Sequence, residues 1–340
     1  MIKKNKKKYV LKIQKILESE KKYNLKYTHW KEIKGFEYIK KLPKKNQIFF
    51  PKLIDYSVIK CKFKLNMLNV WKKLKSKSKY CINILMEYKG KEIKQLIFNK
   101  KFSLIDKYCF IVQIYYINNI LNNNKLCYTD YHYANIVYIK KSKQIKINNN
   151  IINTNYIYSI IDIAAINRVN NIYFHSNHCI IIFIKNIIFK LDIIRNNYYK
   201  KPDYKKIIVS CLKNKKIWNN IKNILYKYDN EWFDLIEKNK KITKINLQII
   251  DLFLILIGVF DKKKYLEFYG FYKVTSKDHL NNLIPDKDII FIISNINNQN
   301  IIIEYFINKI NNENNNENNN ELNNENNNEL NNENNNELNN

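Results

Sequence analysis

Arginine is almost missing from this chain: only Arg168 and Arg195 occur among 340 residues, although the formal net charge is +30. The positive charge is therefore lysine charge, without the planar two-pronged guanidinium that suits bidentate recognition of phosphate. Glycine is also scarce. With four glycines and no G-x-G-x-x-G anywhere, the chain lacks the usual loop whose backbone amides donate to phosphate oxygens. Four prolines and three alanines complete the shortage, set against a surplus of Lys, Asn, Ile, Tyr and Phe, as expected of a gene with extreme A+T bias. Under that bias a solvated lysine-rich face is the default reading of the charge. A nucleic-acid or anionic-membrane partner stays as an alternative.

Six cysteines are scattered without a C-x-x-C pair, so no zinc spacing is present. The opening Met-Ile-Lys-Lys-Asn-Lys-Lys-Lys has no secretory apolar core, which points to a reducing, cytoplasmic compartment. The longest apolar runs, 178–194 and 245–260, are broken by Lys185 and Lys190 or by Asp251. Neither offers the roughly 20 uninterrupted apolar residues of a membrane span, and both read as buried helices.

The most informative stretch is 126–163. Asp130 and Asn135 stand five apart in Cys-Tyr-Thr-Asp-Tyr-His-Tyr-Ala-Asn, and Asp162 closes the apolar run 156–161. Asx residues favour turns, and in a chain this rich in asparagine an Asp-x4-Asn arises by chance, so its surroundings decide its meaning. Residues 8–16 alternate like a strand with Lys12 among apolar neighbours. Positions 30–42 repeat apolar residues at helical spacing and carry Glu32 and Glu37. Pro51 punctuates the link to the next segment, and 80–88 reads as a strand running to Gly90. Ser103 and Asp106 suit the start of a helix over 103–124, with Tyr108, Ile111, Ile114, Ile117 and Leu121 on its apolar face. A strand over 136–139, a polar excursion through 148–150 and a second strand lead to Asp162.

This order resembles the protein-kinase-like superfamily over about residues 8–195, and within it the divergent serine/threonine kinases of poxviruses and other large cytoplasmic DNA viruses. The resemblance implies an α+β fold with a reduced N-lobe sheet (1–88), a mainly helical C-lobe (89–310) and an ATP–Mg²⁺ cleft between them. It implies phosphoryl transfer to a protein Ser/Thr hydroxyl. Asp130 would be the catalytic base, and Asn135 and Asp162 the Mg²⁺ ligands, hard oxygen donors of the kind that ion takes. Lys12, paired with Glu32 or with Glu37, would reach the nucleotide phosphates. The backbone at Glu87 and Tyr88 would bind adenine. His132 would contact phosphate or serve as a structural histidine.

The chain also departs from the family. His-Arg-Asp is here Tyr128-Thr129-Asp130, Asp-Phe-Gly is Asp162-Ile163-Ala164, and no Ala-Pro-Glu segment follows. Only eleven residues precede Lys12, too few for two strands and a phosphate loop. An Asp-x-His-x-x-Asn pattern is shared with small-molecule kinases of the aminoglycoside and choline type, and the missing loop fits a pseudokinase acting as a binding module. Both stay open. After Pro202, helices are expected over 217–227, 230–238 and 243–260, with Trp218 and Trp232 as anchors. The Asn/Glu repeat 311–340 has too little apolar surface to offset its ordering entropy and is expected to be disordered.

Overall fold

The computed structural model describes residues 2–4, 7–61, 79–97, 99, 101–169, 172–189, 213–228, 230, 234, 247–261 and 282–315. Strands and helices are both well represented, so the chain is α+β. The alternating stretch expected near the start is strand β2 (Lys7–Ile16), with a short β1 (Ile2–Lys4) folded back on it. Two later strands, β3 (Leu53–Lys60) and β4 (Tyr80–Glu87), complete an antiparallel sheet in the order β1-β2-β4-β3. Lys12 lies opposite Ile84, and directly opposed antiparallel residues share a face. Ile16, Ile82, Ile84 and Met86, all buried, therefore make the apolar surroundings of that lysine.

A disulfide joins Cys61, just past β3, to Cys81 at the start of β4.

Helix α1 (Thr28–Lys40) buries His29, Trp30, Glu32, Ile33, Phe36 and Ile39 at three- and four-residue intervals. Beyond the sheet come β5 (Lys91–Glu92), a single turn α2 (Lys94–Ile97) and the long helix α3 (Leu104–Asn123). The Ser103 hydroxyl accepts the Asp106 N–H at 3.1 Å, the cap its sequence foretells. Most of α3 is buried on every side. Its Gln113 amide donates to the Tyr156 carbonyl at 3.0 Å and accepts the Tyr158 N–H at 3.2 Å. One side chain thus substitutes for a neighbouring strand and holds the hairpin that follows.

That hairpin differs from expectation in length. Strand β7 (Ile136–Ile147) runs well past position 139, and β8 (Asn150–Ile160) returns at once, with Ile147 opposite Asn150. The polar stretch at 148–150 is a tight turn because Asn148 adopts the left-handed conformation (φ 53°), which Asn tolerates better than most residues. Short strands β6 (Leu126–Tyr128) and β9 (Ile166–Arg168) pair with each other.

The apolar run near 178 is helical but begins earlier, as α4 (Ile172–Phe183), and continues into a wider turn at Ile184–Ile188. Helices α5 (Lys215–Leu225) and α6 (Leu247–Phe260) match two expected helices, and Trp218 is buried as an anchor. Most of the segment 230–238, including Trp232, lies outside the described residues. Helix α7 (Asp286–Ser294) and a last helix over 299–315 close the described chain. The buried apolar side chains form one continuous cluster from Ile16 to Ile310. Residues 311–315, assigned to the tail, extend a helix already anchored by Ile302, Ile303, Phe306, Ile307 and Ile310. The rest of the tail lies outside the described residues. Among the described residues no helix is long and apolar enough to cross a membrane.

Candidate active site

Strand pairing alone brings two loops together. Because β6 pairs with β9 and β7 with β8, the loop 129–135 and the turn 161–165 are pinned at both ends by the same two ladders. Cross-bonds then stitch the loops. The Ile161 N–H donates to the Asn135 carbonyl at 2.9 Å, and the Thr129 N–H to the Ala165 carbonyl at 3.3 Å. The hydroxyl of Tyr128, fully buried, donates to the Ile161 carbonyl at 3.0 Å. Burial first, then the carboxylates of Asp162 and Asp130, pushes the Tyr128 phenol well above its usual range. One phenol thus feels both acids.

Within the first loop, Asn135 is buried and its Nδ2 donates to the Asp130 carbonyl at 3.1 Å and to Asp130 Oδ2 at 3.0 Å. The amide oxygen is thereby the Asn135 atom left to reach a cation. His132 accepts the Ala134 N–H on Nδ1 at 3.2 Å, which leaves Nε2 as the protonated nitrogen of the neutral ring. That nitrogen lies 3.5 Å from Asp130 Oδ2. His132 and Asn135 therefore converge on a single oxygen of Asp130. Its other oxygen is the one available to a hydroxyl.

The opposite wall comes from the first sheet and α1. Lys12 Nζ lies 2.7 Å from Glu32 Oε2 and 3.8 Å from Asp162 Oδ1. Glu37, the competing partner, is exposed and pairs with Lys34 at 2.8 Å. Glu32 is 1% exposed. Burial holds its carboxyl above the usual carboxylate range, with Asp162 adding to the rise and Lys12 opposing it. Asp162 takes the left-handed backbone conformation (φ 55°, ψ 60°) while keeping its side chain 37% exposed. A non-glycine residue in that region costs about 1–3 kcal/mol and persists where its surroundings impose it, often at sites that do chemistry.

Two contributors were not singled out from the sequence. Gly35 packs so close to Ile163 that a Cβ there would collide with the Ile163 carbonyl oxygen and side chain. The glycine lets α1, and Glu32 with it, approach the turn that carries Asp162. Its scarcity was the available signal. Tyr128 was visible only as a departure from His-Arg-Asp. The Ala165 carbonyl accepts from the Thr129 hydroxyl and from Asn167 Nδ2.

Glu87 and Tyr88 stand apart from this cluster. Their backbone N–H groups donate to the Lys52 and Lys8 carbonyls at 2.9 and 3.2 Å, and Glu87 Oε2 pairs with Lys89 at 3.2 Å. The sheet has therefore taken the amides expected to read adenine.

Asp162, Asn135 and Lys12 suit a magnesium-bound polyphosphate in kind: a carboxylate, an amide oxygen and an ammonium. Glu32 and Asp162 set two carboxylates beside one lysine, and Asp162 and Asp130 both act on Tyr128, so added positive charge is electrostatically favoured. Among the described residues no three His, Cys, Asp or Glu side chains form a metal cage. Phosphate oxygens and water would have to complete the coordination. A scan against protein-family models matches no family, and a search of the curated proteins finds no match.

Proposed function

We propose that the chain is an ATP-dependent phosphotransferase of the protein-kinase-like type, with a reduced N-lobe sheet, acting on a protein Ser/Thr hydroxyl. The observation that carries this reading is the Lys12–Glu32 ion pair at 2.7 Å standing 3.8 Å from Asp162. Three residues from separate elements, selected for one chemistry, meet at one place. Supporting it, the paired strands hold Asp130 and Asn135 in the loop beside Asp162.

In this reading Lys12 positions the phosphates and Glu32 holds Lys12. Asp130 orients the acceptor hydroxyl and takes its proton on the oxygen not engaged by His132 and Asn135. Asn135 and Asp162 would hold Mg²⁺, which neutralises charge on the transferred group when bound. The test is transfer of labelled phosphate from ATP. Asp130→Ala should lower it about 10²–10⁴-fold, the usual contribution of a general base. Asp162→Asn should abolish Mg²⁺-dependent nucleotide binding, and unchanged binding would remove that residue from the site.

A pseudokinase acting as a binding module is the second reading, favoured by the engaged amides of Glu87 and Tyr88. Wild-type protein that binds nucleotide yet transfers no label would select it. Label on a low-mass acceptor instead of protein would select a small-molecule kinase.

A further inference from the structure

At the turn end of the β7–β8 hairpin, two cavities of about 220 and 820 Å³ share Lys45, Asn46, Tyr116 and Asn148 in their linings. The smaller adds Lys143 and Lys146, and the larger adds Lys125. Among the described residues no carboxylate lines either one. Nor does any of these four lysines pair with a carboxylate among the described residues, unlike Lys12, Lys34, Lys89, Lys185 and Lys309. The hairpin 136–160 supplies four lysines and no acid, so its own sequence cannot neutralise them.

The rest of the lining is equally one-sided. Of the fifteen described residues around the larger cavity, eleven carry side-chain amides. Asparagine is common throughout this chain, so number alone would mean little. What sets the basin apart is position: the turn that ends α3 at Lys125 and the hairpin turn at Asn148 both line it.

We propose that this basin binds a small phosphorylated polyol, of the sugar-phosphate class, independently of the phosphotransfer site. Four exposed ammonium groups without carboxylate partners around one basin favour an anion there. Amides both donate and accept and so suit the hydroxyls of a polyol, with part of their capacity spent inside the lining, as where Asn119 Nδ2 donates to Asn300 Oδ1 and Asn177 Nδ2 to Asn297 Oδ1. The absence of carboxylates among the described lining residues rules against an amine or a metal cation. The larger cavity alone, about 820 Å³, has the volume of a small-molecule site.

Calorimetric titration of the full chain tests this with fructose 1,6-bisphosphate, inorganic phosphate and a 12-nucleotide single-stranded RNA as probes. The bisphosphate should bind, at least tenfold more tightly than inorganic phosphate. Lys45→Ala/Lys143→Ala should weaken it at least tenfold, while Asp162→Asn leaves it unchanged because that residue belongs to the other site. Thermal melting of each variant excludes loss of fold, and Lys146→Gln offers a milder second check. Three results overturn the proposal: no binding of the bisphosphate, equal affinity in the double variant, or inorganic phosphate binding as tightly as the bisphosphate. RNA binding ten times more tightly and lost in the same variant also overturns it, in favour of a nucleic-acid surface.

Discussion

Two buried carboxylates in this molecule lead opposite lives. Asp288 on α7 is 0% exposed and receives the Tyr108 hydroxyl at 2.8 Å, the Tyr305 hydroxyl at 2.7 Å and Lys309 at 3.2 Å. Glu32 on α1 is as deeply buried but has one cationic partner, Lys12, which also lies near a second acid, Asp162. Saturated with donors, Asp288 ties α7 to α3 and to the last helix. Short of donors and crowded by like charge, Glu32 sits where positive charge is still wanted. A buried acid that is fully hydrogen-bonded speaks for architecture, and one left short of partners marks a place where something else binds.

The largest effect should come from the architectural acid. Asp288→Ala strands two hydroxyls and a lysine and should cost about 3 kcal/mol in urea unfolding, since each buried unsatisfied partner costs about 1–3 kcal/mol. Nucleotide binding by the folded fraction should be unchanged. Reduced affinity there would erase the distinction between the two acids. Gly35→Ala strikes the other side of the contrast. Forcing α1 away from Ile163 should cost about 2 kcal/mol, within the usual range for overpacking, and weaken nucleotide binding as well. Full affinity after that change would show that Glu32 need not approach Asp162 closely.

Tyr128→Phe removes one hydrogen bond between the loops and should cost about 1 kcal/mol of stability. A several-fold fall in phosphate transfer should accompany it, read in the same labelled-ATP assay. The smallest effect is a pH dependence. Because the folded Glu32 carboxyl titrates above its unfolded value, the folded state binds that proton more tightly. Its contribution to stability is full below the unfolded value and is lost as pH rises through the folded one. Melting temperatures between pH 7 and pH 4 should show wild type gaining on Glu32→Gln as the solution is acidified. Parallel curves would mean that Glu32 is not perturbed.

Much of the site was legible because its parts are local. Period-two alternation announced β2 and placed Lys12, helical spacing placed Glu32 on a buried stripe, and Ser103 announced its own helix. The choice between Glu32 and Glu37 was not local. It depends on which face of α1 meets the sheet, which only packing decides. The hairpin length was obscured because lysines at 140–146 look like loop: residues 139–144 are exposed on both faces of the ladder, a register shift falls between Lys140 and Lys143, and burial resumes only at Ile145 and Ile147. The engaged amides of Glu87 and Tyr88 were invisible for a related reason: strand register, set by pairing with distant segments, determines which N–H groups find carbonyl partners. Gly35 gave no clue beyond its rarity.

The bridge between Cys61 and Cys81 has a practical corollary. A protease cut anywhere between those positions leaves two pieces that remain covalently linked. Such a nicked chain migrates on a denaturing gel as one band until a thiol reagent is added, and then as two. The stretch between the cysteines is thus a natural place for an engineered cleavage site or tag, since severing it does not detach the first sixty residues from the rest.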